Sequence, residues 1–405
     1  MLVALALGAA GGAVVGRAQA PPTVGAARPL GMLVSDSELV MGLTLYRWDT
    51  AAFVAEQGGY LATYREAVDG EVLSGAQIVT RVAEDYSIGP RLLLALVEMH
   101  SGWVRDPEPA ERTFPLDEPL PGLFAALASA ADQLNADYYG YRRDGLRAVT
   151  LRDGLRLEVG APNAGSFALL AYLSREVPLA SWATLDAPSR FYTAWTSLFG
   201  DAYQYLVAET RPETLPAEDL RLPFPPGEVW FLVAGPHSAW GAGGPRSAID
   251  LAPPPTEATG CEGSVYWATA VADGVVTRAR ASGVVVDADH DGFEGSGWVH
   301  VYGHLASADR VAPGTEVRAG DRLGHPSCEG GLPTQTRVSF ARRFNGEWIP
   351  ADEPDAPLVL GGWTAIVGPE PGLGWLSNPA FGARRPAQVA KRAAVNGVAA
   401  LPGAP

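Results

Sequence analysis

The stretch Pro236-His-Ser-Ala-Trp-Gly-Ala-Gly-Gly-Pro-Arg-Ser-Ala-Ile-Asp250 sets an imidazole and a carboxylate on either side of a Gly-rich loop. His237 and Asp250 would supply two of the three protein ligands that a catalytic zinc uses, the fourth position being left for water. Metal-assisted hydrolysis is the chemistry such a pair supports, provided another segment delivers the third ligand. A second constellation, Asp287-Ala-Asp289-His-Asp291-Gly292, has the alternating carboxylates and following Gly of a calcium loop. The position where a calcium loop carries its last Glu is Trp298, so an acidic solvated turn competes with calcium and is favoured over it. Cys261 and Cys328 are the only cysteines, and in an exported chain they predict one disulfide, with two unpaired thiols as the alternative.

These residues need elements to hold them. From Trp230 onward the sequence alternates short apolar runs with Gly and Pro turns: Trp230-Phe-Leu-Val-Ala, Gly283-Val-Val-Val-Asp, Trp298-Val-His-Val-Tyr and Thr336-Arg-Val-Ser-Phe. That texture predicts an all-β antiparallel domain over 228–375. Upstream, 36–210 is helical in character. Ser74 is placed to cap a helix with Ile78, Val79 and Val82 on one stripe. Pro90 then starts a helix whose body, Arg91 to His100, is apolar on nearly all sides and so should be central and buried. Asp153-Gly154 between two short β-like runs reads as a hairpin turn. Residues 211–227 are Pro-rich and read as a linker, and 376–405 are small, mildly basic and read as a disordered tail.

The β block resembles the lysostaphin/LytM-type zinc metallopeptidases, in their staphylolysin or β-lytic branch. The resemblance runs from Trp230 to Trp348 and rests on Gly-Pro-His237-Ser with Asp250, Val271-Ala-Asp-Gly-Val-Val, Tyr302-Gly-His304-Leu, Val311-Ala-Pro-Gly through Gly324, Cys328-Glu-Gly-Gly331 and Phe344-Asn-Gly-Glu-Trp348. It implies a β-sheet groove that cleaves cross-bridge peptides of bacterial peptidoglycan, with His237 and Asp250 as zinc ligands and His304 polarising water or stabilising the oxyanion. The family completes its site with a His-x-His pair, the second His being the third ligand and the first a catalytic imidazole. Here Arg337 stands at the first position and Ser339 at the second. Neither is a usual zinc ligand, and a guanidinium brings a permanent positive charge. Arg337 is therefore expected to replace the metal's charge by pairing with Asp250. Of the remaining histidines, His300 shares a strand face with His304 but lies about 13 Å along the strand. His290 falls in an acidic loop and His325 before a turn.

The helix from Pro90 resembles that of lysozyme-like transglycosylases and glucosaminidases (Pro-x-Leu-Leu-x-Ala), and Asn163-Ala-Gly-Ser166 echoes the start of a later helix there. His100 occupies the place of that family's general-acid Glu, and Glu98 sits about 200° away around the helix. A plain helical scaffold is the expectation, because one histidine does not supply the paired carboxylates of glycoside hydrolysis.

Over the whole chain, 405 residues with 47% apolar and 19% charged content fit a multidomain globular protein of helical and β parts. A net charge of -15 and no Lys/Arg-rich run exclude a nucleic-acid binder. Residues 1–20 are apolar and close on Ala18-Gln-Ala20, which reads as a signal peptide, with an uncleaved anchor as the alternative. Residues 21–35 read as a linker. Two functions follow: a secreted or envelope protein with a degenerate site, binding peptidoglycan or regulating other wall hydrolases, and an active zinc endopeptidase. Arg337 and Ser339 favour the first.

Overall fold

The computed structural model describes residues 31–112, 122–184, 186–201, 204, 211–255, 264–280, 283–331 and 335–400. The segment read as a signal peptide lies outside the described residues.

Five longer helices frame the helical part, with shorter ones between them among the described residues. Ser74 caps α1 (Gly75–Tyr86) through a capping box with Gln77, and the helix buries Ile78, Val79 and Val82 on the stripe that the spacing predicts. Pro90 opens α2 (Pro90–Ser101), and Gly102, in the left-handed region, ends it. Leu92 to Val97 are all shielded from solvent, so α2 is the central helix of this part. Around it lie α3 (Leu123–Arg143), α4 (Ala164–Ser174, capped by Asn163) and α5 (Asp186–Phe199). The Asp153-Gly154 turn joins the paired strands Ala148–Thr150 and Arg156–Glu158.

The β part is a nine-stranded antiparallel sheet. Its strands are β1 (Val229–Ser238), β2 (Arg246–Ala252), β3 (Gly274–Arg280), β4 (Gly283–Asp287), β5 (Trp298–Gly303), β6 (Glu316–Val317), β7 (Val338–Phe344), β8 (Glu347–Trp348) and β13 (Gly397–Ala399). They run in the order β6-β3-β4-β5-β7-β2-β1-β13, with β8 paired to β7. A four-stranded sheet of β9 (Val359–Leu360), β10 (Trp363–Val367), β11 (Gly374–Asn378) and β12 (Ala383–Pro386) packs beside it. Because side chains alternate across a strand, the large sheet has two distinct faces. Ile249, Leu251, Val284, Val286, Tyr302 and Phe340 look into the β part's own core. Ala248, Val301 and Ala341 look the other way and join the helical core, with Trp348.

Polar contacts reinforce that join. Tyr138 donates to Glu347 (2.9 Å), Trp348 N donates to Tyr139 Oη (2.7 Å), and Trp348 Nε1 donates to the Tyr86 carbonyl (3.2 Å). Ser87 donates to the Gly346 carbonyl and accepts from Arg343. The helical layer therefore lies directly over the sheet face that carries the candidate site.

Three segment expectations need correction. Residues 33–35 are not linker: Val34 is buried, Ser166 Oγ accepts from Leu33 N, and Ser35 caps the helix Asp36–Leu39. Residues 211–227 are Pro-rich but packed, since Leu215, Leu220, Leu222 and Phe224 are buried apolar anchors spaced between the prolines. Residues 376–400 form β11, β12 and β13 instead of a disordered tail. Here β13 covers the edge of β1, Val398 is fully buried, and buried Asn396 donates to the carbonyls of Leu232 and Gln388. Ala-rich composition hid one short strand whose stability comes from its partner.

Candidate functional site

His237 stands near the end of β1, Asp250 on β2 and Ser339 on β7, with Asp250 and Ser339 directly opposite in register. Asp250 shares the face of Ala248, and Ser339 that of Ala341, so both side chains point toward the helical layer. His304 follows β5. Simple alternation would put it on the face of His300, away from the site, but its φ of 61° breaks the alternation and turns it to the opposite side. His300 stays buried on the other face, 2.6 Å from Glu218, which also pairs with Arg342 (2.7 Å). The two histidines thus serve different sides of one sheet.

The site centres on Asp250, whose side chain is only 3% exposed. Its Oδ1 lies 3.1 Å from His237 Nε2, and its Oδ2 lies 2.9 Å from Arg337 Nε in an ion pair. His237 Nδ1 lies 2.7 Å from the Ser238 carbonyl, so both ring nitrogens face acceptors and the imidazolium form is favoured. Burial opposes that charge, but the bond to Asp250 and its negative charge outweigh burial and raise the His237 pKa. Burial likewise pulls Asp250 upward, yet His237, Arg337 and the Ser339 hydroxyl together hold its carboxyl below the usual range. His304 is pushed down by burial, partly offset by its 2.8 Å contact to the Glu329 carbonyl.

These residues do not fit a zinc ion. The His237 nitrogen and both Asp250 oxygens that would ligate metal are turned on each other and on Arg337. Ser339 offers a hydroxyl where a third ligand is needed, and the guanidinium would lie beside the ion. Arg337 brings a fixed positive charge to the same carboxylate, and His237 adds a second when its imidazole is protonated, the form that its two acceptors favour.

A cavity of about 210 Å³ opens beside this cluster. Its sheet side is formed by His237, Ser238, His304, Ser339, Gly330 and Gly331, and its helical side by Glu84 and Asp85 of α1. Trp240, Trp348 and Arg278 also line it. These last five residues were not anticipated as site residues, since the helical and β parts were read separately. The signal was the acid pair Glu84-Asp85 at the end of one helix and Arg278-Ala-Arg280 on one strand face. Arg278 and Arg280 both pair with Glu84, and Arg280 also pairs with Asp85 (2.6 Å). The loop after His237 is clamped by α3: Asp132 accepts from Ala242 N and Gly243 N (both 2.8 Å). A Cβ on Gly243 would sit 1.9 Å from the Asp132 carbonyl, so only glycine fits there.

The other expected sites are placed as follows. Carboxylate oxygens of Asp287, Asp289 and Asp291 lie within 4.8 Å of one another. They serve the loop itself: Asp287 accepts from Asp289 N and Gly292 N, and Asp291 from Phe293 N and Ser296 Oγ. Burial, then Asp287 and Asp291, push Asp289 up to about 8, so the like charges are relieved by a proton. Cys328 is disulfide-bonded, and Cys261, the chain's other cysteine, lies outside the described residues. His290 lies 2.8 Å from Glu316, and His325 meets the Tyr266 carbonyl. His100 lies 3.1 Å from Glu176, and Glu98 accepts from Val104 N.

Residues 32–212 match a family model described as LasA, N-terminal domain, and residues 260–350 match Peptidase family M23. Protease LasA of Pseudomonas aeruginosa strain PAO1 is 27% identical over 331 residues, covering 76% of this chain and 73% of the relative. Protease LasA of strain UCBPP-PA14 is 28% identical over 332 residues, with the same coverage. Among solved structures, the M23 metalloprotease pseudoalterin is 24% identical with a TM-score of 0.34, over 42% of this chain and 95% of its own. Csd3 of Helicobacter pylori is 19% identical with a TM-score of 0.22, over 32% of this chain and 33% of its own.

Proposed function

Because the C-terminal region is a peptidase family M23 domain and the chain is homologous to protease LasA, we propose that this protein is a degenerate member of that group. It is exported, associates with the bacterial wall, and binds peptidoglycan peptides or regulates other wall hydrolases without cleaving them. The observation that carries the reading is the Arg337–Asp250 ion pair, at 2.9 Å, which engages the carboxylate that would otherwise ligate zinc. A carboxylate left alone at 3% exposure would be costly, and Arg337 with His237 removes that cost without a metal. The chemistry left to the site is recognition: His237 and Arg337 hold Asp250 ionised, Ser339 caps it, and His304 offers a ring nitrogen beside the cavity.

A wall-clearing assay beside a sacculus-pelleting assay tests the proposal. The unmodified chain should pellet with sacculi and leave their turbidity unchanged, with or without added zinc. Clearing that a chelator abolishes would instead establish an active metallopeptidase. The disulfide involving Cys328 fits an exported protein, and a released, processed N terminus in culture medium is the expected observation.

A further inference from the structure

We propose that the cavity between α1 and the sheet captures the free ammonium end of a short peptide of small residues. The proposal rests on the wall-peptide reading above and names which part of the peptide is recognised. Glu84 lines the cavity and uses only its Oε2, toward Arg278 and Arg280; its Oε1 has no hydrogen-bond partner among the described residues, and its side chain is 23% exposed. His304 Nδ1 faces the Glu329 carbonyl and so carries a proton. That leaves Nε2 as an acceptor, also without a partner among the described residues. Both free groups therefore call for a donor. Trp240 and Trp348 line the space as well, and indole faces attract cations.

Size and shape narrow the occupant. The volume of about 210 Å³ lies below the roughly 300–1,000 Å³ of sites for drug-sized ligands. Glycines 241, 283, 303, 330 and 331 are among its lining residues and leave room between the side chains, which suits a peptide of small residues. Strand order puts Arg278 and its partner Glu84 at the β3 end, with β5, which leads into His304, two strands away. Two inter-strand steps make about 10 Å, the length of about three extended residues. An ammonium at Glu84 thus leaves the third residue beside His304.

Calorimetric titration of the full chain with triglycine, triglycinamide and N-acetyltriglycine tests this. Triglycine and triglycinamide should bind alike, and the acetylated peptide about tenfold more weakly or not at all. Equal binding of the acetylated peptide, or no binding of triglycine, overturns the proposal. Sacculus pelleting in parallel separates the two readings: retention on sacculi without amine discrimination sinks this inference alone, whereas loss of retention sinks the wall-binding reading. Glu84→Gln should erase the difference between the free and acetylated peptides, with its melting temperature as the folding control. If that variant unfolds, Trp240→Leu should weaken triglycine binding, and unchanged affinity there counts against the proposal.

Discussion

Asp250 is the residue on which the site turns. In a metal centre its carboxylate would face a dication; here the imidazole of His237 at 3.1 Å and the guanidinium of Arg337 at 2.9 Å meet it from either side. Removing one of them leaves a buried charge half-compensated, so Arg337→Ala should destabilise the fold by about 1–3 kcal/mol, read as a lowered urea midpoint. An Arg337→Ala midpoint equal to that of the unmodified chain would mean the pair does no structural work. Glu294 offers a separate test by pH. Burial alone would raise its carboxyl, but the charges and hydrogen bonds of Arg278 and Arg343 hold it near 2, against an ordinary 4.5. A depressed carboxyl contributes stability that is present above its unfolded pKa and lost as pH falls through the folded one. Stability should therefore decline as pH drops from about 4.5 toward 2, and Glu294→Gln should flatten that part of the profile; an unflattened profile contradicts the assignment.

At the scale of elements, much was legible in the sequence where local signals were strong. The Ser74 cap, the Pro90 helix start, the Asn163 cap and the Asp153-Gly154 turn all depend on neighbours a few residues away, and each forms as its residues dictate. What stayed hidden depends on partners distant in the chain. Alternation alone puts His304 on the face of His300, and a single positive φ reverses it. The strand Gly397–Ala399 has too little apolar sequence to announce itself and exists because the edge of β1 receives it. Deleting residues 393–405 should therefore uncover the Val229–Phe231 end of β1 and lower stability by about 2 kcal/mol or more, since Val398 alone buries a full side chain. Hydrogen exchange should report it directly: fast exchange in 229–231 of the truncated chain is expected, and unchanged protection there would contradict the role given to β13.

For the whole molecule, the helical layer is part of the site and not an appendage. One apolar cluster runs from α1–α5 into Ala248, Ala341 and Trp348, and partly buried ion pairs join Glu84 and Asp85 to Arg278 and Arg280. Such a continuous core should melt in one calorimetric transition, whereas two separated transitions would mean independent halves. The composite cavity follows from this join, as does its concealment from a reading that took each part alone. The central claim, that protein cations have replaced the metal, is tested most directly by zinc content. Elemental analysis of the full chain, dialysed after saturation with zinc, should find far less than one zinc per chain, while Arg337→His/Ser339→His prepared alongside should retain close to one. Stoichiometric zinc in the unmodified protein, removable only by a strong chelator, would contradict it.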